Sequence, residues 1–570
     1  MIEAWTAADV RAAEEPLLAQ GVPLMTLAST ALAAASSPEL VAAAGDPGAS
    51  LDGMRVALLV GSGSNGGDAL HAGAILAGRG AQVTAFATSA TVHDEGREAL
   101  AEAGGTLVDL SGGPAADGWS SAVADVLAAD IVFDGILGIG ARGALRGAAA
   151  DLVSALTGAG ELERVLDAAR PSTGPGFVIQ GSTDGEDART RPARRRRPRV
   201  VAVDVPSGIG VDDGTVPGPV LRADLTVTFG ATKPGLLLPP ATHLAGDLRF
   251  VDIGLSQPIV ELGVQPAVRR LRDDDVAELW PVPGPHDHKY SRGVVGVVAG
   301  TPSFPGAAVL TTTAAVRAGA GMVRYVGPDA VGSLVVTMRP EVVPAVGRVQ
   351  AWALGPGVPA DGADDAGQRA RIQDALADVT APLRDEGRDD GDGRRRVPAV
   401  IDAGALDVVA ELLAADDAAR LPASALLTPH AGELARLLRA LGQRVTREDV
   451  EAAPLEHAVR AHERTGATVL LKGSATVVVG PGVVYSQADA PPWLATAGAG
   501  DVLTGIVATL LAAYSERLVH EPQGVARLAA SAALVHGLAA DRLNPGGPVA
   551  ALDVADTVPG VIAELLEDDE

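Results

Sequence analysis

The residues Ala497-Gly498-Ala499-Gly500-Asp501 place small side chains and one carboxylate directly before an apolar helical pattern at residues 502–511. Small residues leave the backbone N–H groups of a helix N-terminus open, which favours a developing phosphate charge. An aspartate on that turn can take a proton from a substrate hydroxyl while the N–H groups hold a transferred phosphoryl group. An aspartate capping a core helix would give the same pattern, so the neighbouring motifs must decide.

Other loops of the C-terminal half carry compatible chemistry. A predicted strand, Thr468–Leu471, runs into Lys472-Gly473-Ser474-Ala475-Thr476, where a lysine beside a glycine suits nucleotide phosphates. Two more predicted strands end in a Thr-Pro-His turn and in a glycine turn: Ala425–Leu427 before residues 428–433, and Ala351–Leu354 before residues 355–357. In the first turn, His430 is a candidate substrate contact and Glu433 a candidate helix cap. No G-x-x-x-x-G-K-[ST] pattern occurs, which argues against a P-loop NTPase.

The N-terminal half has its own glycine-rich loop. The predicted strand Arg55–Val60 runs into residues 61–68, and a helix is predicted over residues 69–77. The loop matches G-x-G-x-x-G, in which backbone N–H groups approach a pyrophosphate. The next strand, Gln82–Ala87, ends in Thr88-Ser89 instead of the acid that a standard dinucleotide fold places there. This difference argues against an ordinary NAD-dependent dehydrogenase.

Further strands of the N-terminal half end in charged residues: Asp134 after residues 131–133, Asp204 after residues 200–203, and Lys233 shortly after Leu225–Phe229. Ligands of open parallel sheets bind outside the carboxyl ends of the strands. A single aspartate at a strand end is more often a turn former. Several such sites embedded in glycines instead predict a shared pocket, with Asn65, Asp68 and Ser207 on the same rim.

The elements that must position these residues alternate along the chain. Short β-branched runs are followed by Ala- and Leu-rich stretches of helical length, which predicts an α/β fold with parallel sheets. We expect two domains, at residues 1–258 and 271–570, because an α/β pattern ends near residue 255 and a new strand begins near Val294. Two charged segments rich in Gly, Pro or Arg, residues 174–199 and 362–396, are interpreted as dispensable surface insertions.

Composition narrows the functional classes. The chain has 570 residues, enough for about two to four domains. Lys and Arg number 45 and Asp and Glu 71, so the net charge is −26, which argues against nucleic acid or an anionic membrane as a partner. There is no Cys, which excludes disulfides and thiolate chemistry. The first residues show no signal-peptide pattern, so we expect a cytoplasmic protein, and we expect a homo-oligomer.

The N-terminal motifs resemble those of the NAD(P)H-hydrate epimerase family, over roughly residues 1–255. The resemblance implies a Rossmann-like three-layer sandwich, with Asp204 as a substrate contact and acid/base and Lys233 close to it. It implies a potassium ion held by Asn65, Asp134 and Ser207. It also implies substrate binding by two loops: Ser64, Asn65, Gly66, Gly67 and Asp68, and Gly138, Ile139, Gly140, Ala141, Arg142, Gly143 and Ala144. Ser64 departs from the family, which has Asn there.

The C-terminal motifs resemble those of the NAD(P)H-hydrate dehydratase family, over roughly residues 271–565. The resemblance implies a ribokinase-like three-layer α/β domain that uses ADP, with Mg²⁺ as a further candidate cofactor. The implied ADP contacts are Lys472, Gly473, Ser474, Ala475, Thr476 and Gly500, and the implied contacts to hydrated NAD(P)H are Ala307, Gly357, His430 and Asp501. Asp501 is the implied base. Two segments depart from the family pattern: Pro491-Pro492-Trp493-Leu494 and Asp402-Ala403-Gly404.

Both halves therefore point to one metabolite, NADH or NADPH that has added water to its dihydronicotinamide ring. We expect a bifunctional repair enzyme that epimerises the hydrate at C6 and dehydrates the S epimer at the expense of ADP. Two alternatives remain open at this point. One is a ribokinase-like small-molecule kinase with a nucleotide-sensing N-terminal domain, and the other is a non-catalytic dinucleotide-binding scaffold.

Overall fold

The computed structural model describes residues 1–44, 51–140, 142–168, 197–360, 366–383, 395–416 and 418–567. Within these ranges the chain forms two β-sheets, each covered by helices on both faces, so the predicted three-layer α/β class is confirmed. Ala141 and most of the first predicted insertion lie outside the described residues. The interpretation of residues 362–396 as a surface insertion was wrong for Gln368–Val379, which form a helix that buries Ile372, Leu376 and Val379 in the core of the second sheet.

The first sheet has seven strands in the order β4-β3-β2-β5-β6-β7-β8, and every neighbouring pair is parallel. Its strands are β2 (Arg55–Val60), β3 (Gln82–Ala87), β4 (Thr106–Asp109), β5 (Ile131–Gly135), β6 (Arg199–Val203), β7 (Leu225–Phe229) and β8 (Asp247–Val251). The helices around it are α1 (Ala7–Ala19), α2 (Leu24–Ala44), α3 (Ser64–Ala77), α4 (Asp94–Glu102), α5 (Trp119–Leu127), α6 (Gly147–Ala168), α7 (Pro234–Leu237) and α8 (Ser256–Leu262).

The second sheet has ten strands in the order β1-β9-β17-β16-β15-β14-β13-β12-β10-β11. They are β1 (Ile2–Ala4), β9 (Val268–Arg270), β10 (Val294–Val298), β11 (Met322–Tyr325), β12 (Ala351–Leu354), β13 (Ala399–Ile401), β14 (Ala425–Leu427), β15 (Thr468–Leu471), β16 (Thr476–Gly480) and β17 (Val483–Gln487). From β11 to β15 the pairs are parallel, whereas β15, β16 and β17 form antiparallel hairpins.

The helices of this half complete the second α/β unit. They are α9 (Asp273–Ala277), α10 (Pro305–Arg317), α11 (Asp329–Met338), α12 (Gln368–Val379), α13 (Gly404–Ala415), α14 (Ala431–Ala440), α15 (Arg447–Ala452), α16 (Pro454–Thr465), α17 (Ala499–Ala513), α18 (Ser515–His520), α19 (Gly524–Leu543) and α20 (Ala551–Glu567). Short 3₁₀ turns lie at Gly113–Ala115, Ala241–Leu244 and Pro492–Leu494.

The strands are buried on both faces, which explains why their sequences are continuously apolar. In β2, Val56, Leu58 and Val60 point into one core, while Ala57 and Leu59 point into the core on the other side of the sheet. The second sheet is built in the same way: Val295 and Val297 of β10 pack in the core that contains α10, α17 and α19, opposite the core formed with α12 to α14. Buried sheets of this kind hold the ends of their strands rigidly at one rim.

The first strand, β1, lies in the N-terminal half of the sequence but belongs to the second sheet. Ile2–Ala4 belongs to the second sheet, where it pairs antiparallel with β9 and sets Ile2 opposite Arg270. Helix α1 follows at once and packs against the first sheet. A strand of three residues carries too little pattern to be recognised in the sequence. The division into residues 1–258 and 271–570 stays a prediction. The strands of the first sheet lie within the first range, whereas the second sheet also contains β1 and β9, which lie outside the second range.

One predicted helix start was wrong. The helix predicted over residues 69–77 begins at Ser64, and the helical pattern at residues 502–511 belongs to a helix that begins at Ala499. Glycine has low intrinsic helix propensity, so glycine-rich first turns look like loops in a sequence. Both motifs therefore form the first turn of a helix, where backbone N–H groups have no intrahelical partner.

Among the described residues, no single helix has both the length and the apolar character needed to cross a membrane. One bent pair of helices, Ala7–Ala19 with Leu24–Ser36, meets the length and composition test only when the two are taken together.

Candidate functional site

The first cluster centres on a buried ion pair between Asp204 and Lys233. Asp204 follows β6 in the left-handed backbone region, at φ 65°, and Lys233 is only 1% exposed. The ammonium group of Lys233 donates to Asp204 Oδ1, to the Phe229 carbonyl oxygen at 2.9 Å and to Thr228 Oγ1 at 3.2 Å. A lysine has three N–H donors. All three are directed at protein acceptors, so the lysine is fully engaged within the protein.

Asp204 accepts two more hydrogen bonds. The Thr228 hydroxyl and the Phe229 backbone N–H each donate to Oδ1, both at 3.1 Å. The shared oxygen therefore receives the lysine, the hydroxyl and the backbone amide. Oδ2 is the other oxygen of the carboxylate, and it remains the atom that can act on a ligand.

Two more carboxyl groups lie near this pair. Burial raises the pKa of Asp68 to about 8, with Asp204 and Glu14 raising it further and Lys233 opposing them. Burial also raises the pKa of Glu14, while Lys233 lowers it and Asp204 raises it. Asp68 is thus largely protonated at neutral pH beside an ion-paired carboxylate. Carboxyl groups pushed into different protonation states are typical of acid/base sites.

Asn65, Asp134 and Ser207 meet around the backbone of Leu137. Asn65 Nδ2 donates to the Leu137 carbonyl oxygen at 3.0 Å, and the Leu137 N–H donates to Ser207 Oγ at 2.9 Å. Asp134 is fully buried at the end of β5, where its Oδ2 accepts the Ser207 N–H at 2.8 Å. The structure therefore brings the three predicted ion ligands together.

The electrostatics of this group suit a cation. Burial raises the pKa of Asp134, and among the described residues no Lys or Arg side chain forms an ion pair with it. A buried carboxylate needs a compensating charge or it takes up a proton. The donor set of amide, carboxylate and hydroxyl oxygens fits a hard cation. Among the described residues there is no cluster of three or more His, Cys, Asp or Glu side chains arranged to hold a metal ion, so a transition-metal site of that kind is not formed there.

The two predicted substrate loops line the same rim. Residues 64–68 form the first turn of α3, and Gly66 packs so tightly on the Gly61 carbonyl oxygen that a Cβ there would clash. Gly138 lies against the Asn65 side chain, and the Arg11 guanidinium reaches the Ile139 carbonyl oxygen at 3.4 Å. Ser64, Arg142 and Gly143 are exposed. Gly66 thus has a packing role in addition to any role in binding.

The second cluster also contains a lysine–aspartate pair. Lys472 Nζ lies 2.6 Å from Asp402 Oδ1 and 3.9 Å from Glu433 Oε2. The other oxygen of Asp402 accepts the Thr504 hydroxyl of α17 at 3.1 Å. Burial opposes the charge of Lys472, but Asp402 and Glu433 outweigh that effect and raise its pKa. Its side chain is 21% exposed, so Lys472 is less enclosed than Lys233.

Asp501 stands on the first turn of α17 beside this pair. Burial raises its pKa to about 7, with Asp402 and Glu433 adding to the effect and Lys472 opposing it. The cap residue Gly498 has φ 88°, a left-handed conformation that glycine adopts without strain. A Cβ at Gly500 would lie 3.3 Å from Lys472 Nζ, so the open turn faces the lysine. The turn offers N–H donors, a lysine and a titratable carboxyl group to one ligand.

The remaining predicted residues lie on neighbouring loops. His430 caps α14 through Nδ1, which accepts the Gly432 and Glu433 N–H groups at 3.0 and 3.3 Å, and Glu433 caps in return. The Lys472 N–H donates to the Pro429 carbonyl oxygen at 2.8 Å, which ties the two loops together. Ala307 and Gly357 are in direct contact with each other. Ala475 is buried and Thr476 begins β16, whereas Gly473 and Ser474 are exposed.

Several residues of these clusters were missed by sequence reasoning. Asp402, the partner of Lys472, directly follows β13, and a carboxylate at a strand end was a usable signal. Glu14 gave no signal, since it lies on a helix far away in the sequence. His536 of α19 is buried near Lys472, its pKa is lowered to about 4 by burial and by that lysine, and its Nε2 has no hydrogen-bond partner among the described residues. Nothing in the apolar helical sequence around His536 indicated that this residue lies near a site.

Each half of the chain matches a described protein family. Residues 23–235 match the family described as YjeF-related protein N-terminus, and residues 295–559 match the family described as NAD(P)H-hydrate dehydratase. The chain is 38% identical, over 517 residues and 88% of both chains, to a bifunctional NAD(P)H-hydrate repair enzyme of Mycobacterium tuberculosis. It is 40% identical over 274 residues to an NAD(P)H-hydrate epimerase of Clavibacter sepedonicus, covering 47% of this chain and 96% of that protein.

Among solved structures, the chain is similar to the ADP/ATP-dependent NAD(P)H-hydrate dehydratase of Bacillus subtilis, with 22% identity and a TM-score of 0.41 over 52% of this chain and 99% of that one.

The fold and the two clusters define an α/β protein with two separate sites, each built on a lysine–aspartate pair. With the relatives above, the class can be narrowed: the chain belongs to the family of bifunctional NAD(P)H-hydrate repair enzymes.

Proposed function

We propose that this chain repairs hydrated NADH and NADPH through two activities, an epimerase in the N-terminal half and an ADP-dependent dehydratase in the C-terminal half. Family membership supports both activities. The observation that carries the chemistry is the turn at Asp501, where a carboxyl group with a pKa of about 7 lies beside the Lys472–Asp402 pair.

The dehydratase step uses that turn. Ionised Asp501 takes the proton from the C6 hydroxyl of the hydrate, and the hydroxyl oxygen attacks the terminal phosphorus of ADP, releasing AMP. Lys472 and the open N–H groups of α17 hold the transferred phosphoryl group. Phosphate then leaves C6 with the C6–O bond electrons, and the proton on C5 is lost, which restores the C5–C6 double bond. The balance is hydrate plus ADP giving NAD(P)H, AMP and phosphate.

The remaining C-terminal residues would bind the two substrates. Residues 472–476 and Gly500 are assigned to ADP, and Ala307, Gly357 and His430, with Asp501, to the hydrate. Mg²⁺ would enter with the nucleotide phosphates, whose charge it would neutralise.

The epimerase step would take place at Asp204. Protonated Asp68 would assist departure of the C6 hydroxyl as water, and the cation left at C6 is stabilised by the ring nitrogen. Ionised Asp204 would then remove a proton from the water that adds to the opposite face. Lys233 would hold Asp204 in position, because its donors are all engaged. The loops at residues 64–68 and 138–144 would bind the dinucleotide.

A potassium ion held by Asn65, Asp134 and Ser207 would compensate the buried charge of Asp134. Held by these three residues, it would keep the loop around Leu137 in place.

The test is direct. The full chain is incubated with an epimer mixture of hydrated NADH and with ADP, and the recovery of the reduced-nicotinamide absorbance is followed. Complete recovery in a single fast phase requires both activities, a fast phase for one epimer followed by slow recovery of the other indicates the dehydratase only, and no recovery refutes the proposal. A small-molecule kinase would instead give a phosphorylated product without recovery of absorbance. We also expect a cytoplasmic homo-oligomer, which fractionation and light scattering would check.

A further inference from the structure

One hydrogen bond joins the N-terminal half to the loop assigned to ADP. His243 lies in the 3₁₀ turn Ala241–Leu244, between β7 and β8 of the first sheet. Its Nε2 is 2.7 Å from the hydroxyl oxygen of Ser474, which lies 231 residues further along the chain. Ser474 stands in the middle of the loop from Lys472 to Thr476.

The turn that carries His243 is fixed firmly to the second sheet. Arg270 of β9 donates from Nη2 to the Leu237 carbonyl oxygen at 2.7 Å and to Thr242 Oγ1 at 3.3 Å, and from Nε to the Ser486 carbonyl oxygen at 3.0 Å. The Ser486 hydroxyl donates to the same Leu237 oxygen at 2.6 Å. Arg270 of β9 therefore ties Thr242, the residue next to His243, to the end of α7 and to β17.

The loop that receives the bond is anchored at its two ends. Lys472 is tied to Pro429 at one end, and Thr476 begins β16 at the other. Between them, Gly473 and Ser474 are exposed. Burial, together with the nearby Arg270 and Arg222, lowers the pKa of His243, so its imidazole is neutral at neutral pH and offers one donor and one acceptor.

We propose that His243 is a positioning residue for the nucleotide loop, so that the N-terminal half completes the ADP site of the C-terminal half. The bond holds Ser474 and its neighbouring N–H groups in place before ADP arrives, which reduces the ordering cost of binding. The inference rests on the proposed function, which assigns residues 472–476 to ADP. It gives a physical reason for fusing the two halves in one chain.

The test uses the full-length protein and measures dehydration at saturating hydrate and varied ADP. His243→Ala should raise the KM for ADP by about 2- to 10-fold, the range expected for one hydrogen bond, with little change in kcat. His243→Gln keeps an amide nitrogen near the position of Nε2 and should restore most of the affinity. His520→Ala, on α18 and outside both sites, is the matched control and should behave like the wild type.

A double-mutant cycle separates positioning from general disturbance. If the two side chains act through one bond, His243→Ala combined with Ser474→Ala should be no worse than Ser474→Ala alone. An unchanged KM for ADP in His243→Ala, a loss confined to kcat, or additive effects would each overturn the proposal. If Lys472→Ala also leaves the KM unchanged, the ADP assignment itself is wrong, so the two failures can be told apart. Unchanged epimerisation in His243→Ala shows that the N-terminal half remains folded.

Discussion

The two sites of this chain share a motif and use it differently. Each has a lysine paired with a buried aspartate, Lys233 with Asp204 and Lys472 with Asp402, and each has a further carboxyl group with a raised pKa nearby. In the N-terminal site, the resemblance points to the paired carboxylate as the reacting group. In the C-terminal site, it points to the unpaired one, Asp501.

The difference follows from how fully each lysine is engaged. Lys233 is 1% exposed and directs all its donors at protein oxygens, so it can only support Asp204. Lys472 is 21% exposed and has one close partner, so donors remain for an incoming phosphate. A lysine–aspartate pair therefore marks a site without defining its chemistry, and the count of free donors separates a positioning lysine from a binding one.

The largest effect is expected from removing the C-terminal base. Asp501→Asn keeps the shape of the turn but cannot accept a proton, so dehydration should fall by about 10²–10⁴-fold or more. ADP binding, measured by calorimetry, should persist. Asp541→Asn on the exposed side of α19 is the matched control and should be fully active. Turnover close to that of the wild type in Asp501→Asn would refute the mechanism.

A comparable loss of activity, confined to the repair of one epimer, is expected when Asp204 of the N-terminal site is replaced. Asp204→Asn should leave repair of the S epimer intact, while the R epimer is repaired only as fast as it exchanges without catalysis. Fed a mixture, the variant should show a fast phase followed by a slow one, and chromatography that resolves the epimers measures both. Asp247→Asn, on the exposed start of β8, serves as the control. Equal slowing of both epimers in a folded protein would contradict the division of labour.

Substituting each lysine tests the contrast between the two sites. Lys233→Met leaves Asp204 buried without its partner, which should lower the free energy of unfolding by about 3–5 kcal/mol and leave the KM for ADP unchanged. Lys472→Met should raise the KM for ADP by about 10- to 100-fold, and because it leaves the buried Asp402 unpaired it should lower the free energy of unfolding as well. Denaturant unfolding and ADP titration measure the two effects.

A double variant provides the control for the stability result. Lys233→Met combined with Asp204→Asn removes the unpaired charge and should recover part of the lost stability without recovering epimerisation. If Lys233→Met raises the KM for ADP as much as Lys472→Met does, the distinction between a fully engaged lysine and a ligand-binding one is wrong.

The sequence predicted the rims of both sheets well, because strand ends followed by glycine and a charged residue are local patterns. Asp134, Asp204 and Ser207 come together because the predicted parallel strands place them there. The fold class followed from the alternation of β-branched and helical stretches. What the sequence could not give was contacts between distant segments. Glu14 reaches the first site from α1, and β1 joins the second sheet, because tertiary packing decides both.

The start of the helix within the first glycine-rich motif was also missed. The glycine-rich first turn of α3 looked like a loop, because glycine lowers helix propensity while packing against the sheet still imposes the helix. The Lys472–Asp402 pair joins residues 70 positions apart, and the sequence offered only a strand-end aspartate as a hint.

The smallest effect concerns the pH dependence of dehydration at the C-terminal site. Because Asp501 must be ionised to act as a base, kcat/KM for the hydrate at saturating ADP should fall about tenfold per pH unit below a midpoint near 7 and level off above it. Asp402→Asn removes a neighbouring negative charge and should move the midpoint to lower pH, whereas Lys472→Met removes a positive charge and should move it to higher pH. Shifts in these opposite directions would identify Asp501 as the titrating group, because both neighbours act on its charge. A midpoint that moves in neither variant would mean that another group controls the rate.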